Sequence, residues 1–191
     1  MDMTVHRFRV DALPAVPWKN GGGTTRQAAC WPPGAGLDDF EWRVSMAEIA
    51  SSGPFSPFPG VDRHILLLSG DGMRLRAVDG GFDHRLDRLC VPFSFPGEAA
   101  VHSDMLGGVS RDFNVMVRRG RCRASVRVLD AAAGLDAAAQ GLLMAVTGTW
   151  RAGNEVLDAG AGVWWAEAPR AWRLVPEERE AKLIAVCLLS D

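Results

Sequence analysis

An all-β barrel or sandwich is the architecture these 191 residues specify, and three features lead there. Helical periodicity is nearly absent. Short apolar or alternating runs recur along the whole chain, and 21 Gly and 11 Pro, with Asp, stand at the breaks between them.

The elements follow in chain order. WKNGGGTTR, Trp18 to Arg26, is a glycine-rich turn whose backbone can adopt positive φ and approach a ligand closely, with amides able to form an anion nest. It lacks the P-loop spacing and no helix follows it. Glu41 to Ile49 alternates as a strand, with Trp42, Val44 and Met46 on one face and Arg43, Ser45 and Ala47 on the other. Gly53 to His64 is a loop stiffened by Pro54, Pro57 and Pro59 that delivers Asp62 and Arg63 to the start of a strand at His64 to Leu68. Met73 to Val78 is the next strand. Phe113 to Arg119 alternates, placing Asp112 and Asn114 together on the face opposite Phe113, Val115 and Val117. Ala131 to Gln140 has helix-forming composition broken by Gly134 and reads as a linker or short helix. Strands at Leu142 to Val146, Val163 to Trp165 and Lys182 to Leu189 complete the chain.

An internal repeat runs through these segments. Leu66 to Ala77 has the layout of Leu143 to Ala152, Phe93 to Ala100 that of Val163 to Pro169, and Phe113 to Arg119 that of Leu183 to Leu189. Three matches in one order favour two related β-units.

Composition narrows the function. With 21 basic against 23 acidic residues, a net charge of −2 and a mean hydropathy of +0.01, the protein is ordinary globular material. Such a balance suits neither nucleic acid nor a membrane surface as partner. The amino terminus shows no apolar run after a basic start, and no apolar stretch of membrane-spanning length occurs, so a cytoplasmic location is expected. Cys30, Cys90, Cys122 and Cys187 form no CxxC pair and read as small core residues. His6, His64, His84 and His102 form no HxH or HxxxH arrangement, so no metal and no other cofactor is expected. No GxSxG elbow is present either.

Among 19 Arg there are only two lysines, and the chain has three asparagines and no Tyr. Where a genome so favours Arg, a retained Lys or Asn carries more weight, and Lys19, Asn20 and Asn114 all fall in the segments above. Arg63 suits a carboxylate, because the planar guanidinium binds one through two parallel hydrogen bonds.

Taken in order, WKNGGGTTR, WRVSMAEI, SSGPFSPFPGVDR, FPGE and RDFNVMVRR resemble the HutD/Ves family of cupin-fold proteins, most strongly over residues 1 to 121. The resemblance implies a bicupin-like arrangement of two related β-lobes, cupin-type barrels or jelly rolls. Residues 1–122 would form the first and 123–191 a smaller second lobe packed tightly on it. It also implies a protein of histidine utilisation that binds an acidic pathway intermediate such as formylglutamate and tunes flux, without a secure enzymatic activity. A homodimer is open, since cupins often associate through sheet edges.

A metal-free cupin must orient its ligand by charge and hydrogen bonds. Arg63, Arg43, Lys19 and the amides of Gly21, Gly22 and Gly23 would meet a small dicarboxylate, while Asn20, Asn114 and Ser45 would read an amide or formyl group. Asp112 and Asp62 would hold the cations in place, and Trp18 and Arg26 complete the candidate set from the glycine-rich motif. The alternative is a metal-independent cupin enzyme, an isomerase, lyase or amide hydrolase, with Lys19 or Asp112 as its base.

Overall fold

The computed structural model describes residues 5–166 and 168–190 and is built of strands, with one 3-10 turn at Val10–Ala12. The first strand is β1 (Val5–Arg9). There follow β2 (Ala15–Pro17), β3 (Gly23–Trp31), β4 (Trp42–Ile49), β5 (Gly53–Pro54), β6 (Val61–Ser69), β7 (Met73–Ala77), β8 (Asp83–Leu86), β9 (Phe93–Pro96), β10 (Val101–Met105) and β11 (Ser110–Arg118). The remainder are β12 (Cys122–Leu129), β13 (Ala133–Ala138), β14 (Gln140–Thr147), β15 (Trp150–Ala152), β16 (Glu155–Leu157), β17 (Ala161–Trp165), β18 (Arg170–Pro176) and β19 (Lys182–Ser190).

The chain divides into two units, a first lobe of Pro14–Arg121 and a second of Cys122–Asp191 with Met1–Leu13. The sequence predicts residues 1–122 for the first lobe and 123–191 for the second. The amino-terminal strand departs from that reading, because β1 pairs antiparallel with β17, Val5 facing Trp165 and Arg9 facing Ala161, and so belongs to the second lobe.

Each lobe is a pair of sheets. In the first, a six-stranded sheet runs β2-β3-β4-β11-β6-β9 and a four-stranded sheet β5-β10-β7-β8. In the second, a five-stranded sheet runs β1-β17-β14-β19-β12 and a four-stranded sheet β13-β18-β15-β16. Read from the other edge, β12-β19-β14-β17 repeats β4-β11-β6-β9, and the two small sheets have the same order throughout. The internal repeat seen in the sequence is therefore a repeat of topology. These are cupin-like sandwiches of open sheets.

Alternation drives the pattern. In β4 and β11, Trp42, Val44, Phe113 and Val115 are fully buried on one face. On the opposite face Ala47, Ile49, Ile65, Leu67 and Phe95 pack with Met73, Leu75, Leu86 and Val101 of the small sheet to form the first lobe's core. Each fully buried aliphatic side chain there contributes about 1.5–3 kcal/mol. Every expected strand segment has an observed counterpart. Ala131 to Gln140 is a correction, for residues Ala133–Ala138 form a strand paired with β18 across a bulge, and Leu135 and Ala138 are buried. The ladder and this burial override the helix-forming composition of the alanines. Among the described residues no helix is long and apolar enough to cross a membrane, and Cys30, Cys90 and Cys122 are buried and Cys187 half-buried.

Candidate functional site

The register of the six-stranded sheet sets rows of side chains on the inner face of the first lobe. Arg43, Met116, Arg63 and Phe95 stand opposite one another across β4, β11, β6 and β9. The next row is Gln27, Ser45, Asn114 and Ile65, and the row beyond it Thr25, Ala47, Asp112 and Leu67. Arg43, Ser45, Arg63, Asp112 and Asn114, taken from three separate stretches of sequence, thus share one face of three adjacent strands.

Arg63 is 6% exposed, and its Nε has no hydrogen-bond partner in the protein. Its guanidinium carbon lies 5.0 Å from the Phe95 ring centroid, 5.2 Å from that of Phe55 and 5.7 Å from that of Phe58. Burial pushes its pKa down to about 10, opposed in part by Asp112 and aided by Arg43. Asp112 is 1% exposed, and burial raises its carboxyl to about 7 against the pull of Arg63 and of a hydrogen bond with the Ala47 backbone. Its Oδ1 is without a partner, as is Oδ1 of Asn114. Arg43 is held differently, its Nε donating to Gln27 Oε1 at 2.8 Å and its Nη1 to Ser45 Oγ at 3.3 Å and Met116 Sδ at 3.8 Å. Burial lowers its pKa too.

One buried donor and two buried acceptors therefore lack partners on one inner face, a state that costs about 1–3 kcal/mol per group unless something binds them. The donor is cationic and bidentate in geometry, suited to a carboxylate. The acceptors suit an N–H or O–H of the same small molecule.

The other sequence candidates lie elsewhere. Arg26 pairs with Met46 and so shares the face opposite Ser45. Asp62 stands opposite Val117 and Pro96, away from Arg63, and approaches Arg119 at 3.5 Å. It does not steady the inner cations; Asp112 alone shares their face. The glycine-rich motif is a tight turn leading into β3. The Gly21 amide donates to the Trp18 carbonyl at 3.0 Å and the Gly22 amide to Asn20 Oδ1 at 3.0 Å, so both serve the turn itself. Gly21 has φ of +70°, and a Cβ on Gly23 would collide with the Glu48 carbonyl oxygen and the Trp18 ring. Trp18 Nε1 donates to Thr25 Oγ1 at 2.8 Å, while Lys19 and Asn20 are exposed. Trp18, Asn20 and Gly22 line a hollow with Ser51, Ser52 and Phe55, and Phe55 is the ring that also faces Arg63.

Sequence reasoning missed Phe55, Phe58, Phe95 and Gln27. The repeated phenylalanines of the proline-rich loop were the available signal for two of them.

The second lobe supplies a comparison within the same chain. A register shift sits between Arg111 and Asp112 in the β11–β6 ladder, and the β14–β19 ladder has one between Ala145 and Thr147. Aligned on these shifts, Gly141 takes the place of Arg63, Leu183 that of Asp112, Ala185 that of Asn114 and Trp165 that of Phe95. All four join or adjoin an apolar core with Trp150 and Trp172. A Cβ on Gly141 would enter the Trp165 ring, so the glycine makes room for an indole that fills the interior and donates to the Ala138 carbonyl at 2.8 Å.

Comparison with known proteins agrees with this architecture. The HutD family model matches residues 11–183. Protein Ves of Cronobacter sakazakii is 40% identical over 172 residues, covering 90% of this chain and 92% of that protein. Protein Ves of Citrobacter koseri is 39% identical over 172 residues, 90% of this chain and 88% of its own. A conserved protein of unknown function from Pseudomonas aeruginosa superimposes with a TM-score of 0.87 at 34% identity, over 98% of this chain and 100% of its own. HutD from Pseudomonas fluorescens does so with a TM-score of 0.86 at 28% identity, over 98% and 100%. A cupin 2 conserved barrel domain protein from Leptotrichia buccalis, 8% identical with a TM-score of 0.60 over 98% of each chain, shares the fold.

The inner face of the first lobe can be tested against a metal ion. Here the face presents two guanidiniums and one carboxylate, and among the described residues no three His, Cys, Asp or Glu side chains gather as a metal site. Two cations beside this carboxylate repel a divalent ion, so this donor set does not fit one.

Proposed function

The chain belongs to the HutD family, and on that premise we propose that the first lobe is a metal-independent binding site for a small carboxylate metabolite. The observation that carries the reading is Arg63, a guanidinium 6% exposed with a partnerless Nε, on the same inner face as the partnerless oxygens of Asp112 and Asn114. A buried cation without a hydrogen-bonded counterion is a liability to the fold alone, and a bound carboxylate removes it. On the family resemblance we infer that the ligand is an acidic intermediate of histidine utilisation, with N-formylglutamate the leading candidate, and that the role is to tune that pathway by sensing it. N-formylglutamate offers a carboxylate to Arg63 and an N–H to the Asp112 or Asn114 oxygen.

Titration calorimetry with N-formyl-L-glutamate, L-glutamate and urocanate, without added metal, tests the reading. One of these should bind the wild type, and Arg63→Met should bind it at least tenfold more weakly. Silence from all three ligands, or equal affinity in the variant, would sink it.

A second reading draws on Asp112 alone. A buried carboxyl held near neutrality with a free oxygen has the proton affinity of a general base, as a metal-independent cupin enzyme would need. Turnover of the bound intermediate followed by NMR, abolished by Asp112→Asn with binding retained, would select it over simple binding.

A further inference from the structure

Three phenylalanine rings surround one buried guanidinium, and their arrangement resolves a difficulty in the site. An arginine must be held in place to bind tightly, yet the usual device, a carboxylate in hydrogen-bond contact, occupies the N–H groups a ligand needs. An aromatic face attracts a guanidinium through the ring quadrupole and takes no N–H donor in the guanidinium plane. We propose that Phe55, Phe58 and Phe95 form an aromatic cage that positions Arg63 by cation–π attraction and leaves its in-plane donors open to a carboxylate. The inference rests on the ligand-binding reading above and adds positioning residues to it.

The distances of 5.0, 5.2 and 5.7 Å all fall within cation–π range. The partnerless Nε is what such holding leaves behind. The walls of the cage are fixed before any ligand arrives. Phe95 stands directly opposite Arg63 in the β6–β9 ladder. The Phe55 amide donates to the Val101 carbonyl at 2.9 Å and the Phe58 amide to the Gly97 carbonyl at 2.7 Å. Pro54, Pro57 and Pro59 flank the two rings and fix φ at those positions. Gly97 is required where the segment passes, since a Cβ there would stand 2.7 Å from the Phe58 carbonyl oxygen and 2.8 Å from that of Val61. Two exposed residues, Ser56 and Pro57, lie between the tethered phenylalanines. The segment is thus a rigid wall, and Arg63 is preorganised by it.

The competing account is that the rings merely supply apolar volume. Replacement of Phe55 by mono-, di- and trifluorinated phenylalanine separates the two, because fluorine weakens the ring face while nearly preserving its size. Three readouts are needed: affinity for N-formyl-L-glutamate, melting temperature without ligand, and the Arg63 Nε–H resonance. Cation–π positioning predicts that affinity falls stepwise with each fluorine, to about tenfold below wild type at three. It predicts that the ligand-free melting temperature falls in step, that this trend vanishes in an Arg63→Met background, and that the ring-shifted Arg63 Hε resonance moves toward its ordinary position. An unchanged resonance, with affinity and melting indifferent to fluorination, overturns the proposal. So does an equal melting trend with and without Arg63. If Arg63→Met does not fold, the resonance alone decides. If the wild type binds no carboxylate yet melting and resonance respond as stated, the cage stands and the ligand-binding reading falls.

Discussion

Replacing Arg63 with Met should stabilise the protein while weakening carboxylate binding at least tenfold. Methionine is unbranched and apolar, and fits the space an extended arginine stem occupies. Burial brings the Arg63 pKa well down from its ordinary value, to about 10, which corresponds to about 3 kcal/mol held against the charged form in the folded state. Against this, the three rings return about 1–2 kcal/mol of cation–π attraction that Met forfeits. The net gain is about 1–2 kcal/mol, a rise in melting temperature of roughly 3–6 °C for a chain of this length. The assay is differential scanning calorimetry at pH 6, where Asp112 is protonated and loses nothing when its cationic neighbour goes. Titration calorimetry on the same samples should show binding weakened at least tenfold. A melting temperature several degrees below wild type would mean that Arg63 is structural, and the reasoning would fail even if binding were also lost.

Further expectations concern pH and packing. The Asp112 carboxyl, raised to about 7 mainly by burial, binds a proton in the folded state between about pH 4 and 7 while the unfolded chain has lost it, so stability falls as pH rises through that window and levels off above it. Urea melts should show this slope in the wild type and a flatter profile in Asp112→Asn. Ionised Asp112 also repels an anionic ligand, so carboxylate affinity should drop above pH 7, by up to about tenfold per pH unit, and the drop should disappear in Asp112→Asn. Gly141→Ala, whose Cβ would enter the Trp165 ring and stand 2.6 Å from the Val186 carbonyl oxygen, should cost about 2–4 kcal/mol in a denaturant melt. Gly134→Ala, at an ordinary φ with open space around it, should change the same melt by less than about 0.5 kcal/mol.

Alternation carried most of what the sequence revealed. It placed Arg43 with Ser45 and Asp112 with Asn114 because a strand assigns faces by parity alone, whatever it later pairs with. What parity cannot supply is register, and so the meeting of Arg43, Arg63 and Asn114 across three strands appeared only in the ladders. β3 was hidden because a run of three glycines reads as loop, although Thr24 and Thr25 already favour a strand. The start of β6 was hidden likewise: the prolines before Val61 drew the loop onward through Asp62 and Arg63, which in fact lie inside the strand. That error obscured the parity separating Asp62 from Arg63. The phenylalanine cage rests on contacts between a loop, β9 and β6, with no local signature that names Arg63 as its object.

The second lobe has the same topology without this polar cluster, and that contrast supports a ligand at Arg63. At the positions aligned with Arg63, Asp112 and Asn114 it places Gly141, Leu183 and Ala185, and with Phe95 it aligns Trp165, whose ring closes the interior. Leu183 and Ala185 are at most 1% exposed. The fold can therefore complete this interior with apolar packing and no buried charge. A lobe that retains a buried arginine, an aspartate and an asparagine in the equivalent space forgoes several kcal/mol that such packing would provide. Structural need does not account for that choice, since the sister lobe does without it, whereas the proposed recognition of a small anion would. The same contrast fixes the stoichiometry: calorimetry should find one carboxylate per chain, and two equivalent sites would break the argument.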